Sequence, residues 1–242
     1  WYKDALLISG DTFPPSRGAP MDHVYEGEVE TQVTADYLET IGFDVEKLWL
    51  SLEAWDDSDD VVAAISKGHG FVHFAGHGNP ASWGNHPPDD EEHVFYDGLT
   101  IFDMNSLGND GKLPIIIVGG CHNAQFNVTM AEIPVLIREY GIMGTFFQDP
   151  FRFFYMEWVP RSFCGWLVVQ KSGGAIATMG NTGLGYGAIG EHGDLDLDNI
   201  TEPDCIEAFG GWIETQFFNA YVEQGKTILG DAHDQAIIDY IN

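Results

Sequence analysis

Positive charge is the scarcest property of this chain. Lys and Arg number 10 against 38 Asp and Glu, a formal net charge of −28. A surface of that sign repels phosphate backbones, so nucleic acid is excluded as an expected partner, and it repels anionic lipid too. A cationic substrate, bound Ca²⁺ or a high-salt habitat would each suit it, as would the plain solubility of a secreted protein. Cysteine is also scarce: three residues are too few for a disulfide framework, and the odd count leaves at least one thiol free. No apolar run reaches 18 residues, so no membrane-spanning helix is expected. An opening Met and a basic leader are missing as well. The chain starts at Trp1 and reaches Ala5-Leu6-Leu7-Ile8 almost at once, which reads as a mature or trimmed piece of a longer precursor. What is abundant is apolar side chain: 44% of the residues are hydrophobic, enough for a full core, and residues 1–242 read as a single domain.

Residues 5–9 form a short apolar run stopped by Gly10-Asp11 and read as a buried strand. Residues 28–41 have helical spacing, with Val33, Tyr37, Leu38 and Ile41 able to share a face and Gly42 just past the end. Further strands are expected over 45–50, 71–75, 113–118 and 175–179, and helices over 56–67 and 162–171. An acidic, Pro- and Gly-rich loop is expected over 79–97, and two helical patterns over 206–241 split near Gly225–Gly230. Strands alternating with helices, several apolar on both faces, predict an α/β fold: a mostly parallel sheet in a three-layer helix–sheet–helix sandwich. The segment 128–160, rich in Phe, Met, Trp and Pro, reads as an insertion or interaction surface.

Ligands bind outside the carboxyl ends of strands in such sheets. The strand FVHFA ends in Gly76-His77-Gly78-Asn79, and the strand IIIVGG ends in Cys121-His122-Asn123. A thiol and an imidazole at one sheet edge are the minimum for nucleophilic cysteine catalysis, because the imidazole takes the thiol proton and the thiolate attacks. The N–H groups of Gly78 and Cys121 would make an oxyanion hole. A lone cysteine at a strand end is usually structural; the partnering His-Gly is what favours chemistry.

These motifs bring out a resemblance. KGHGFVHFAGHGNPASWG, KLPIIIVGGCHNAQF, SGGAIATMGNTGLGYG and TILGDAHDQA resemble segments of gingipain-type cysteine peptidases, peptidase family C25 of the caspase–gingipain clan. The resemblance implies a caspase-like fold and an extracellular or cell-surface endopeptidase acting on proteins or peptides. Cys121 would be the nucleophile and His77 its base. Asp11 would be the acid that orients His77, with Asp22 and Glu26 as alternates. Trp83 and Tyr186 would contact substrate. The family also implies that a preceding part of the precursor is a partner. No cofactor is required for catalysis. A transpeptidase of the same family, or a non-catalytic adhesion or assembly domain on the same scaffold, are the alternatives.

Other patterns carry less. His69, His73 and His77 recur every four residues, but on a strand the outer two lie roughly 26 Å apart, too far to share a metal. His73 reads as a hydrogen-bonded core residue. Gly185-Tyr186-Gly187-Ala188-Ile189-Gly190 fits a dinucleotide fingerprint without the strand–turn–helix context it needs. The alternating acids Asp194, Asp196 and Asp198 suit a structural Ca²⁺, a use of the ion that the resemblance also implies, against the alternative of solvated loop carboxylates. Asp89–Glu92 is a weaker second candidate. Cys164 and Cys205 are a possible disulfide or two buried thiols.

Overall fold

A computed structural model describes residues 1–15, 24–148 and 156–241. Five strands form one sheet in the order β2-β1-β3-β7-β8, where β1 is Asp4–Ser9, β2 Asp44–Trp49, β3 Phe71–Ala75, β7 Ile115–Gly119 and β8 Ala177–Gly180. Every pairing within it is parallel. The central strands are apolar on both faces because both faces are covered. On one side lie helices α1 (Glu26–Thr40), α5 (Phe209–Val222) and α6 (Leu229–Ile241), packed over Ala5, Phe71 and Ile117. On the other lie α2 (Ser58–Ser66) and the short α4 (Phe163–Leu167), over Leu6, Ile8, Phe74 and Val118. This is the expected helix–sheet–helix α/β sandwich.

Local chemistry sets the ends of the elements. Asp57 caps α2 by accepting the N–H groups of Asp59 and Asp60, and Gly68, at φ +84°, turns the chain back into β3. Gly42, at φ +79°, does the same between α1 and β2. The buried face of α1 differs from the expected one. It carries Glu26, Glu28, Glu30, Thr31, Thr34, Ala35 and Leu38, while Val33 and Tyr37 are half-buried and Ile41 is exposed. Polar partners on the sheet explain the rotation: Thr31 bonds Ser9 and Thr34 bonds His73.

Part of the acidic loop expected over 79–97 lies in a second sheet, while residues 87–95 remain a loop. Strands β4 (His77–Asn79), β5 (Ser82–Asn85) and β6 (Tyr96–Thr100) pair antiparallel in that order. Trp83 anchors this sheet to the first by donating its Nε1–H to the Gly119 carbonyl at 3.1 Å and packing on Trp55 and Phe74. The helix expected over 162–171 is shorter, ending before Ser172-Gly173-Gly174. Helix α3 (Ile133–Gln148) occupies part of the apolar segment and leaves Val135, Tyr140, Ile142 and Met143 exposed; residues 149–155 lie outside the described residues. Cys164 and Cys205 are both free and buried, so the possible disulfide does not form.

Parallel register positions the site. Ser9 pairs with Ala75, and Ala75 with Gly119, so β1, β3 and β7 finish level. Asp11, His77 and Cys121 each follow two residues later along the same sheet edge.

Candidate active site

His77 and Cys121 line one cleft of about 190 Å³, together with Thr12, Phe13, Gly76, Gly120, Asn181, Gly185, Tyr186 and Gly187. The cleft continues down to Glu30, Glu214, Gly119, Gly210 and Gly211.

His77 Nε2 lies 2.6 Å from the Thr12 carbonyl. A carbonyl only accepts, so Nε2 carries the proton and the neutral ring keeps its lone pair on Nδ1. Burial lowers the pKa of His77, partly opposed by the Thr12 bond and reinforced by His86. The ring is therefore neutral at rest near pH 7 and ready to accept a proton.

The expected acid is placed differently. Thr12 supplies the oxygen at Nε2, while the neighbouring Asp11 carboxylate accepts the Asp89 N–H at 3.1 Å. The backbone carbonyl suits the position because it orients the ring without adding charge to a buried site. Of the alternates, Glu26 accepts the Phe13 N–H at 3.0 Å and Asp22 lies outside the described residues.

Cys121 is half-buried, and its thiol points to the Gly185 carbonyl at 3.5 Å. The turn after it is tight. His122 takes a left-handed conformation at φ +57°, and its N–H donates to the Gly183 carbonyl at 2.7 Å. Asn181 donates to the Gly120 carbonyl, and Ala124 N–H to the Asn181 carbonyl, so the Gly-rich loop after β8 is stitched to the cysteine loop. Among the described residues, no acceptor meets the Cys121 N–H.

Asn123 is a structural member of the site that motif reading missed. It is fully buried, and its Nδ2 donates to the carbonyls of Asn79 and Ser82 at 2.8 and 2.9 Å. It thereby clamps the His77 hairpin to the Cys121 loop. A Cβ at Gly78 or Gly120 would fall on its amide, and a Cβ at Gly120 would stand 3.0 Å from Gly78 N. Glycine at both positions lets the Gly78 backbone approach the cysteine. Asn123 follows the nucleophile closely, but its residue type alone carries no signal.

Trp83 and Tyr186 part company. Trp83 is 0% exposed and serves the core, because its indole is spent on Gly119 and the neighbouring rings. Tyr186 is 67% exposed and borders the cleft. His73, fully buried, bonds Thr34 through Nδ1 and Glu214 through Nε2, each at 3.0 Å, as a core histidine. His69, also buried, places its Nε2 3.0 Å from the Ala64 carbonyl, which can only accept, so Nε2 donates there.

Two carboxylates form the floor. Glu30 and Glu214 are each 8% exposed. Among the described residues, no hydrogen bond reaches the Glu30 carboxylate, while Glu214 Oε2 is held by His73. Glycines make room for them: a Cβ at Gly211 would strike Glu30, and one at Gly119 would strike Glu214. Burial raises the pKa of Glu30 well above the carboxylate range, reinforced by Glu214 and Glu26.

Asp194, Asp196 and Asp198 do come together, with oxygens within 4.8 Å of one another. Asp194 Oδ2 accepts the Asn199 N–H, and its Oδ1 is buried without a partner. That orphaned oxygen fits a hard cation. Asp89 and Asp90 instead accept Tyr25 O–H and the N–H groups of Glu92 and Val94.

No curated protein matches the sequence. Among solved structures, the chain is similar to the Arg-specific cysteine proteinase gingipain R (RgpB), at 14% identity and a TM-score of 0.59 over 99% of this chain and 42% of that one. It is likewise similar to a complex of Porphyromonas gingivalis RgpB pro- and mature domains, at 15% identity and a TM-score of 0.54 over 99% of this chain and 43% of that one. The chain thus spans less than half the length of these structures, and the likeness is one of fold. Residues 1–242 match peptidase family C25 from end to end, and the chain belongs to that family.

Proposed function

We propose that the chain is the catalytic part of a cysteine endopeptidase. The observation that carries the reading is the cleft that Cys121 and His77 line together, with His77 Nε2 bound to the Thr12 carbonyl and Nδ1 left as base. His77 Nδ1 takes the thiol proton and Sγ attacks the scissile carbonyl carbon. The carbonyl oxygen becomes an oxyanion stabilised by the N–H groups of Gly78 and Cys121. As the tetrahedral species collapses, the C–N bond breaks and His77 gives its proton to the departing amine. Water, deprotonated by His77, then cleaves the thioester and frees Cys121.

The cleft floor supports a basic residue at P1. Glu30 and Glu214 offer two carboxyl groups to the cleft that Cys121 lines, and an entering guanidinium or ammonium group would draw off the proton that burial holds on Glu30. A similar fold belongs to a protein described as Arg-specific. Tyr186 would border the same subsite. A Ca²⁺ would be held by Asp194, Asp196 and Asp198, where it would neutralise their charge and tie down the loop that follows the Gly-rich wall. Family membership supports an extracellular setting. Among the described residues, no helix is long and apolar enough to cross a membrane.

The test is Cys121→Ala. It is expected to abolish cleavage of basic-P1 peptides and labelling by a thiol-directed peptidyl inhibitor, with an unchanged circular dichroism spectrum. Residual cleavage by a folded Cys121→Ala protein would remove Cys121 from the mechanism.

A further inference from the structure

His86 belongs to no motif, yet it stands directly against His77. Its own place is fixed by three bonds. Its N–H donates to Asn85 Oδ1 at 2.9 Å, its carbonyl accepts the Asp11 N–H at 3.0 Å, and its Nδ1 lies 2.8 Å from the Val94 carbonyl. The last contact puts the ring proton on Nδ1 and leaves Nε2 free to be protonated.

The rings around His77 form a cage. The His86 and His77 centroids are 5.5 Å apart with planes at 85°, and Phe13 meets His77 from another side at 5.5 Å and 89°. Phe95 touches both imidazoles, at 6.1 Å from His77 and 5.2 Å from His86. Among the described residues, the Thr12 carbonyl gives the His77 ring its one hydrogen bond, about which the imidazole could still swing. Edge-to-face rings on several sides take that freedom away.

The charges facing His86 come from several elements. His77 lies on β4 and Asp11 sits across an antiparallel bridge, holding the Asp89 N–H; His93 and Asp90 belong to the loop before β6. Cys121 lines the same cleft as His77. Burial lowers the pKa of His86 as it does that of His77, and a proton on His86 disfavours one on His77.

We propose that His86 is a positioning residue for His77: its ring closes the cage that aims the imidazole at Cys121, and its charge sets the lowest pH at which that base works. The inference rests on the Cys121–His77 reading, and its test separates the two. The rate of Cys121 alkylation by iodoacetamide is followed against pH by mass spectrometry of the Cys121 peptide, in the full chain. It needs no substrate, and Cys164 and Cys205 are buried.

His86→Phe keeps a ring but loses the charge, and is expected to move the acid limb of the profile to higher pH. His86→Ala loses both, and is expected to lower the plateau by about tenfold, much of which His86→Phe restores. A purely structural His86 would change the melting temperature and leave the limb in place. Profiles of His86→Phe and His86→Ala that superimpose on that of the unmodified chain overturn the proposal. If His86→Ala fails to fold, the limb of His86→Phe decides alone. A His77→Ala profile identical to that of the unmodified chain would sink the dyad itself, and His86 with it; a changed His77→Ala profile with an unchanged His86→Phe profile sinks only His86.

Discussion

If Glu30 receives a basic P1 side chain, as proposed, it would serve binding at the expense of folding. Its carboxyl is buried on α1 beside Glu214, with no hydrogen bond to it among the described residues. A carboxyl whose pKa is higher folded than unfolded stabilises the fold at low pH. That contribution fades as pH rises through the folded value, because the folded state resists losing the proton. Glu30→Gln should therefore melt higher than the unmodified chain at pH 7, by about 1 kcal/mol or more of stability, and show no gain at pH 4. Thermal melts at the two pH values decide, and an equal effect at both would mean that Glu30 is not strained. The same substitution should cut kcat/KM for a basic-P1 peptide by roughly 100-fold, since losing a desolvated charge partner costs about 3 kcal/mol. Cleavage after a neutral P1 residue should suffer far less. A uniform loss on both peptides would place Glu30 outside the subsite.

At the scale of elements, what was legible depended on whether apolar pattern or polar partnership fixed the geometry. Strands β1, β3 and β7 are apolar on both faces, so their positions, and hence the level ends bearing His77 and Cys121, could be read directly. Helix α1 was located but turned wrongly, because its inward face is held by Thr31, Thr34 and buried glutamates rather than by the apolar stripe of Val33, Tyr37 and Ile41. Glu30 was hidden by that rotation. The sheet of β4, β5 and β6 was hidden in an acidic, Pro-rich stretch, and Trp83 with it. The loop of Asp194, Asp196 and Asp198 was legible from its alternation. Its backbone is tied to Glu207, whose carboxylate accepts the N–H groups of Leu195 and Glu202. If those aspartates hold Ca²⁺, saturating Ca²⁺ should raise the melting temperature relative to chelator, by an amount equivalent to about 2.7 kcal/mol at a hundred times the dissociation constant. Asp194→Asn should abolish most of that rise. An unchanged rise in Asp194→Asn would move the ion elsewhere.

On the scale of the whole molecule, a basic-P1 peptide would meet the net charge of −28 and the carboxyls of the cleft at different steps. The summed field would draw a cationic peptide toward the protein at long range, and it is screened within about 10 Å at 0.1 M salt. The buried carboxyls would act at contact, out of reach of most counterions. Raising salt from low to high concentration should thus lower kcat/KM for a basic-P1 peptide several-fold through slower encounter, while kcat at saturation changes little. The ratio of basic-P1 to neutral-P1 cleavage should survive at high salt, because Glu30 and Glu214 remain in place. In Glu30→Gln the long-range salt dependence should persist, since one charge among so many is lost, while the high-salt preference for the basic residue falls. Steady-state kinetics of two peptides differing only at P1, across an ionic-strength series, separate the contributions. A preference that vanishes with salt in the unmodified chain would assign selectivity to the surface field and leave the cleft floor without a role.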